Sequence, residues 1–321
     1  MATIITKTIG QDGWQDFSGI QQATNAITTS DVANTSDLVA ADKAVVFEIY
    51  AGVYSEFVTI NLGLTCDTTR NVTYKPAAGS EHGGVRGAGV KLVSNTNGQN
   101  ALNIQDDFVV IDGIEIAYEG ISTDTTLATK VTNGAVGAVY KNCIIHANGS
   151  REVIRIGQDA AGSAAHPIEV RNCVIDASQT VSRPALSAYA GSGNDVYTKI
   201  INNTFNGHVN QAAISLGDGG AANKVHEVRN NISINRAWSA AGTALITGSD
   251  NVGPNIAAFA VVIQAESQTW TFTTDTTAAS TGSQVIYDDT TYKLLNVSGN
   301  DAIGVCDGTT AHLHGSWLAY N

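Results

Sequence analysis

VYKNCIIHAN (139–148), IEVRNCVIDAS (168–178) and KIINNTFNG (199–207) are three versions of one pattern. In each, β-branched residues alternate with polar ones, an asparagine follows, and a second short apolar run begins. The alternation is that of a strand with one buried face. The asparagine marks a tight turn, because its short amide tolerates left-handed backbone angles. Outward from this block, VVIDGIEIAY (109–118) comes before and HEVRNNISIN (226–235) after. Aligned on the short polar residue, Asp112, Asn142, Asn172, Asn202 and Asn230 recur at steps of 30, 30, 30 and 28.

A second set of strand-like runs lies between these segments: ALNI (101–104), VIRI (153–156), ALSAY (185–189), AAISL (212–216) and TALIT (243–247). Gly, Asn, Asp and Ser fill the connections, and no helical periodicity interrupts the region. One repeat of about 30 residues thus holds at least two strands and their turns. Leucine-rich repeats would show a Leu-x-x-Leu-x-Leu frame, and propeller blades need about 40 residues and four antiparallel strands. A parallel solenoid fits, with apolar residues pointing inward and coils stacked about 4.8 Å apart. Asn142, Asn172, Asn202 and Asn230 then read as a structural ladder, each amide able to bond to the one above and below. Cys143 and Cys173 share one position in consecutive coils. Their parallel Cα–Cβ vectors hold the Cβ atoms near the coil spacing, wider than the preferred disulfide range of about 3.5 to 4.5 Å. Two stacked, reduced thiols are expected.

With its N-terminal section included, the sequence resembles the right-handed parallel β-helix, or pectate-lyase-like, superfamily. DFSGIQQATNAI (16–27) has Phe17, Ile20, Ala23 and Ile27 at helical spacing, and AVVFEIYAGVYSEFVTI (44–60) follows it. This order is similar to the family's opening: a capping helix, a strand, a Gly-x-Tyr turn and a second strand. VTYKPAAGSEHGG (72–84) looks like an early coil with its Pro/Gly turn. The resemblance covers about residues 10–250. It implies an all-β, right-handed parallel β-helix solenoid with an N-terminal capping α-helix and a small C-terminal β domain. The expected boundaries are 1–43 for an N-terminal arm and the capping helix, 44–253 for the β-helix, and 254–321 for the C-terminal domain or cap. After Pro254 the period stops and short strands rich in Thr and aromatic residues take over.

Composition narrows the function. The 321 residues carry 17 Lys+Arg against 29 Asp+Glu, a formal charge of −12, with 43% hydrophobic and 14% charged residues. Such a chain folds, and its acidity argues against nucleic acid as a partner, since binders of phosphate backbones concentrate Lys and Arg. No run approaches the 18 to 20 apolar residues of a membrane helix, and MATIITKTIGQDGW lacks the apolar stretch of a secretory signal. No membrane is expected, and synthesis in a cytosol is. The four cysteines form no CxxC pair, so reduced thiols are the default.

Catalytic chemistry on such a scaffold would need carboxylates, Arg or Lys gathered on one outer face. Cleavage of a glycosidic bond by the usual route takes two carboxyl groups about 5 to 10 Å apart. Asp106, Asp107, Asp112, Glu115, Glu152, Asp159, Glu169 and Asp176 are candidates, with Arg151, Arg155 and Arg171 nearby, but they are scattered along the chain. The family's polygalacturonase branch implies neighbouring aspartates, a Gly-His-Gly and an Arg-x-Lys, and Asn-Gly-His-Val (206–209) departs from that. The pectate-lyase branch implies a calcium-binding acid cluster beside a catalytic Arg, and none assembles from the spacing. His312 and His314 share a strand face but lack a third ligand. GGVRGAG (83–89) has no preceding strand and following helix, so it is loop chemistry and not a dinucleotide cradle. Catalytic, cofactor and metal residues are therefore expected to be none.

Two functions stay open. The resemblance is closest to non-catalytic virion members of the superfamily. It implies a capsid decoration, cement or spike protein of a tailed bacteriophage, located in the virion. Its partners would be the major capsid protein or other virion subunits, in a homo-oligomer with a trimer as first guess. The alternative is a polysaccharide-binding or polysaccharide-cleaving protein, such as a tailspike depolymerase or lyase, with Trp238, Trp270 or Trp317 able to stack on a glycan.

Overall fold

The computed structural model describes residues 2–120, 126–148, 151–158, 161–177, 183–190, 195–207, 214–216, 224–229, 231–234, 239–240, 245–253, 271–274, 286–288 and 293–296. Each full coil contributes three strands to three parallel sheets. The first sheet stacks Thr3–Ile9, Lys43–Ile49, Val72–Pro76, Val109–Asp112, Val139–Lys141, Ile168–Arg171, Val196–Ile201, Lys224–Arg229 and Leu245–Gly253. The second runs from Gly52–Ser55 through Glu115–Tyr118, Ile144–Ala147 and Val174–Ala177 to Ile232–Ile234. The third runs from Val58–Ile60 through Leu102–Ile104, Thr129–Val131 and Ile154–Gln158 to Ser239–Ala240. This is a parallel β-helix. Among the described residues no helix is long and apolar enough to cross a membrane.

Alternation decides what fills the interior. Phe47, Tyr74, Ile111, Tyr140, Val170, Ile200 and Val228 are register partners in successive coils and form one buried column. The two phenols in it need partners, because an unpaired buried hydroxyl costs on the order of 1–3 kcal/mol. Thr24 Oγ1 lies 2.9 Å from Tyr74 Oη and Thr129 Oγ1 lies 2.6 Å from Tyr140 Oη.

Asn142, Asn172 and Asn202 turn the chain from the first sheet to the second with φ of 56°, 53° and 57°. Asn230 lies outside the described residues. The register corrects the alignment one coil earlier: Lys141 pairs with Asp112, so Asn142 stands over Gly113, whose φ is 67°. Asp112 instead ends its strand and accepts hydrogen bonds from Asn142 Nδ2 at 2.8 Å and Lys141 Nζ at 2.9 Å.

The bonds between amides of successive coils are made one residue later than the sequence suggests. Asn231 Oδ1 accepts from the N–H and the Nδ2 of Asn203, at 2.9 and 3.0 Å. Asn203 Oδ1 accepts from the Cys173 N–H at 2.9 Å. Cys143 and Cys173 occupy the same inward slot in earlier coils, both fully buried and unbridged, and the Val174 N–H bonds to the Cys143 carbonyl at 2.9 Å. Burial first, then the neighbouring Cys143, pushes the Cys173 thiol far above its ordinary value.

Two other elements differ from the sequence expectation. Thr3–Ile9, expected as part of an N-terminal arm, is a strand in register with Lys43–Ile49. TALIT does not join the second set of strands. Leu245–Gly253 pairs with Lys224–Arg229 in the first sheet, and Ser239–Ala240 takes the third-sheet position. The N-terminal helix spans Ile20–Ala26 and buries Ile20 and Ala23, with Phe17 and Ile27 buried at its flanks. Its Gln21 amide bonds both backbone groups of Thr59, on the third sheet's first strand.

Candidate functional site

Acidic, basic and imidazole side chains converge on the outer face of the second sheet. Strand alternation turns Ile116 and Tyr118 into the core, so Glu115 and Ala117 face out. Register places His146 over Ala117 and Asp176 over His146. Residues 77–89, linking Val72–Pro76 to Val90–Ser94, fold across this face as a strap. The Gly87 N–H donates to Glu115 Oε2, and Arg86 lies 3.6 Å from Glu119 and 3.8 Å from Asp176. His82 accepts the Gly84 N–H on Nδ1 at 2.9 Å, which leaves Nε2–H to donate to the Asn142 carbonyl at 2.8 Å.

Under the strap the charges are compensated. Glu115, fully buried, accepts from His146 Nε2 at 2.9 Å and has Lys91 Nζ at 3.3 Å. Lys91 also donates to Glu119 at 2.6 Å. Burial alone would raise the Glu115 carboxyl, but the bond from His146, the Gly87 N–H and the Lys91 ammonium hold it below the usual range. Glu119 is likewise held low, its burial outweighed by Lys91. Ligand atoms of Glu115, Glu119 and His146 lie within 4.8 Å of one another. A divalent cation could use that spacing, but the Lys91 ammonium already stands between the two carboxylates. His312 and His314 lie outside the described residues.

An open groove lies on the first sheet. It has a volume of about 210 Å³ and runs over the outer face, with Val110, Val139, Glu169 and Lys199 as register partners along the floor. Three steps of the usual strand spacing make this floor roughly 14 Å long, parallel to the solenoid axis. Its wall is built by the segments that lead into each strand. Phe108 packs edge-on against His166, with ring centroids 4.9 Å apart at 70°. Phe108 takes φ of 51°, an unusual angle for a bulky residue and the kind of strain found at binding sites. Its N–H bonds to the Val136 carbonyl and the Gly137 N–H to the His166 carbonyl, fastening the three segments together. Gly137 is obligatory here: its φ is 64°, and an added Cβ would stand 2.6 Å from the Phe108 ring.

The acids singled out from sequence are divided among separate tasks. Asp106 caps the N–H groups of Leu62, Gly63 and Leu64, and Asp107 accepts from Val136. Glu152 is chelated by Arg155 at 2.8 and 2.9 Å, with Arg151 at 3.9 Å. Arg171 stands 3.6 Å from Glu169. Glu115 and Asp176 meet under the strap; Asp159, Trp238, Trp270 and Trp317 lie outside the described residues. Sequence reading missed both the cluster and the groove. The available signal was the period itself, since His146 and Asp176 are 30 residues apart and Phe108, Gly137 and Pro167 fill one slot of three coils.

No family model matches the chain, and no curated protein matches it. Solved structures do. A pectin methylesterase from Aspergillus niger in deglycosylated form is 15% identical with a TM-score of 0.50, over 84% of this chain and 81% of that one. A pectin methylesterase from carrot is 12% identical with a TM-score of 0.43, over 85% and 89%. At such identities the likeness shows the fold alone: the chain is built as a parallel β-helix.

Proposed function

We propose that the protein is a rigid β-helix that binds an extended polysaccharide along the first-sheet groove without cleaving it. The observation that carries this is the groove itself: a floor crossing four coils, apolar at Val110 and Val139, charged at Glu169 and Lys199, beside the strained Phe108 and the ring of His166. Apolar surface and aromatic edges suit the CH-rich faces of sugars, and a few placed polar groups suit their hydroxyls. Cleavage is disfavoured because Glu169 is the one carboxylate among the described residues of the groove lining, where the usual route takes two. The acids that do converge, Glu115, Glu119 and Asp176, are charge-compensated by Lys91, His146 and Arg86, and Glu115 and Asp176 are buried as well.

The test is affinity electrophoresis of the full chain in gels containing acidic or neutral polysaccharides, with reducing ends and unsaturated products assayed in parallel. Retardation without products, weakened about five-fold (about 1 kcal/mol) by His166→Ala, supports the reading. Unretarded migration in every gel, or new chain ends, contradicts it. A second reading, the stiff structural post of a virion, draws on the continuous buried core of the stacked coils. Stoichiometric co-purification with viral particles, together with unretarded migration, would select that one.

A further inference from the structure

We infer that the N-terminal end of the solenoid carries a separate ligand site, for a neutral sugar unit, in the groove beside Phe57. This groove, about 470 Å³, lies between the turn at 55–57, which joins the second and third sheets in the first coil, and residues 93–96 at the end of the next coil's second-sheet strand. Its size is within the range of small-molecule sites. Phe57 is 48% exposed, a large apolar ring left at the surface. Around it stand Ser55, Glu56, Asn95 and Thr96.

The chemistry of the lining chooses the ligand. An exposed ring among hydroxyls, an amide and a carboxylate matches a molecule with one apolar face and a hydroxyl rim, as a pyranose has. Among the described residues the lining contains no Lys, Arg or His, so a phosphate or uronate would meet the Glu56 carboxylate without a counter-charge. Glu56 is fixed in place: its two oxygens accept the N–H groups of Ile20 and Gln21, at 2.6 and 3.1 Å, and each keeps a lone pair for a ligand hydroxyl. Gln21 is held in turn by Thr59 and Asn25. A site whose polar groups are already immobilised loses little entropy on binding.

This site is independent of the His166 groove, so its failure and the failure of that reading are separable. The experiment is calorimetric or NMR titration of the full chain with a neutral glucotriose and with a uronate trimer. We expect the neutral sugar to bind with shifts at Phe57 and Asn95. Phe57→Ala should weaken it at least ten-fold, as should Thr96→Ala to a lesser degree, while retention in the acidic-polysaccharide gel stays unchanged. The inference is overturned if the neutral trimer does not bind, if Phe57→Ala leaves its affinity intact, or if the uronate binds this groove as well. It is also overturned if sedimentation shows that Phe57→Ala dissociates an oligomer while sugar binding is unchanged, since the ring would then be a contact between copies.

Discussion

His82 donates its Nε2–H to the carbonyl of Asn142, 60 residues further along the chain and two coils up the solenoid. This bond ties the strap at 77–89 to the corner between the first and second sheets. It requires a neutral imidazole, because Nδ1 must accept the Gly84 N–H. Burial chiefly lowers the His82 pKa from its ordinary 6.5. A lowered folded value means that the strap's stabilisation is present above about pH 6.5 and is lost as pH falls through the folded value. Arg86, Glu119, Asp176, Glu115, His146 and Lys91 face the same strap. The carboxyls of Glu115 and Glu119 are also held low, so their share is lost separately, below the ordinary 4.5. Hydrogen exchange at residues 82–88 should therefore quicken in two stages on acidification. In His82→Gln the first stage should be absent, and exchange already fast at pH 7. Protection that is unchanged from pH 7 down to the carboxylate range would contradict this.

The corner asparagines and the inward ones should respond differently to truncation. Asn172→Ala places a Cβ without a compensating amide at a φ of 53° and should cost about 1–2 kcal/mol, whereas Asn172→Gly should be nearly neutral. Asn203→Ala removes the acceptor of the Cys173 N–H and the donor to the Val170 carbonyl, in a fully buried site, and should cost about 2–3 kcal/mol. Urea denaturation midpoints give the order; Asn172→Ala proving worse than Asn203→Ala would be the wrong result.

Gly137→Ala combines an unfavourable φ with a collision against the Phe108 ring. A loss of about 2–4 kcal/mol is expected, with displacement of the ring from His166. The aromatic ring-proton shifts of Phe108 report the second effect, and an unchanged His166 contact would show that the wall does not depend on this glycine.

Thiol chemistry should be silent in the folded state. Burial pushes the Cys66 thiol up to about 12 and the Cys173 thiol well above its ordinary value, and Cys143 is fully buried. In a Cys306→Ser background, alkylation at pH 8 should be negligible until denaturant is added, after which three thiols react. A peptide joining residues 143 and 173 by a disulfide would contradict the reduced pair.

The period was legible because stacking demands it: a coil that misses its slot exposes its apolar face. It showed the parallel strands and the left-handed corners at Asn142, Asn172 and Asn202. It failed where the period drifts. The 29-residue step from Gly113 to Asn142 looks like 30 if the acidic Asp112 is taken for the corner. The shorter final coils likewise moved Leu245–Gly253 into another sheet. Thr129–Val131, only three residues long, carries too little alternation to be noticed. The strap cluster was invisible for a different reason: Lys91, Glu115, His146 and Asp176 are 24 to 31 residues apart in turn, and only register makes them neighbours.

The central claim is that the first-sheet groove holds a glycan and leaves it whole. It is tested most directly by titrating the isotopically labelled full chain with an acidic oligosaccharide, following Val139, His166 and Lys199 by NMR and the oligosaccharide by mass. Saturable shifts confined to those residues and their neighbours, with the oligosaccharide intact after prolonged incubation, are the expected result. Unmoved resonances at saturating sugar, or a shortened oligosaccharide, would contradict it.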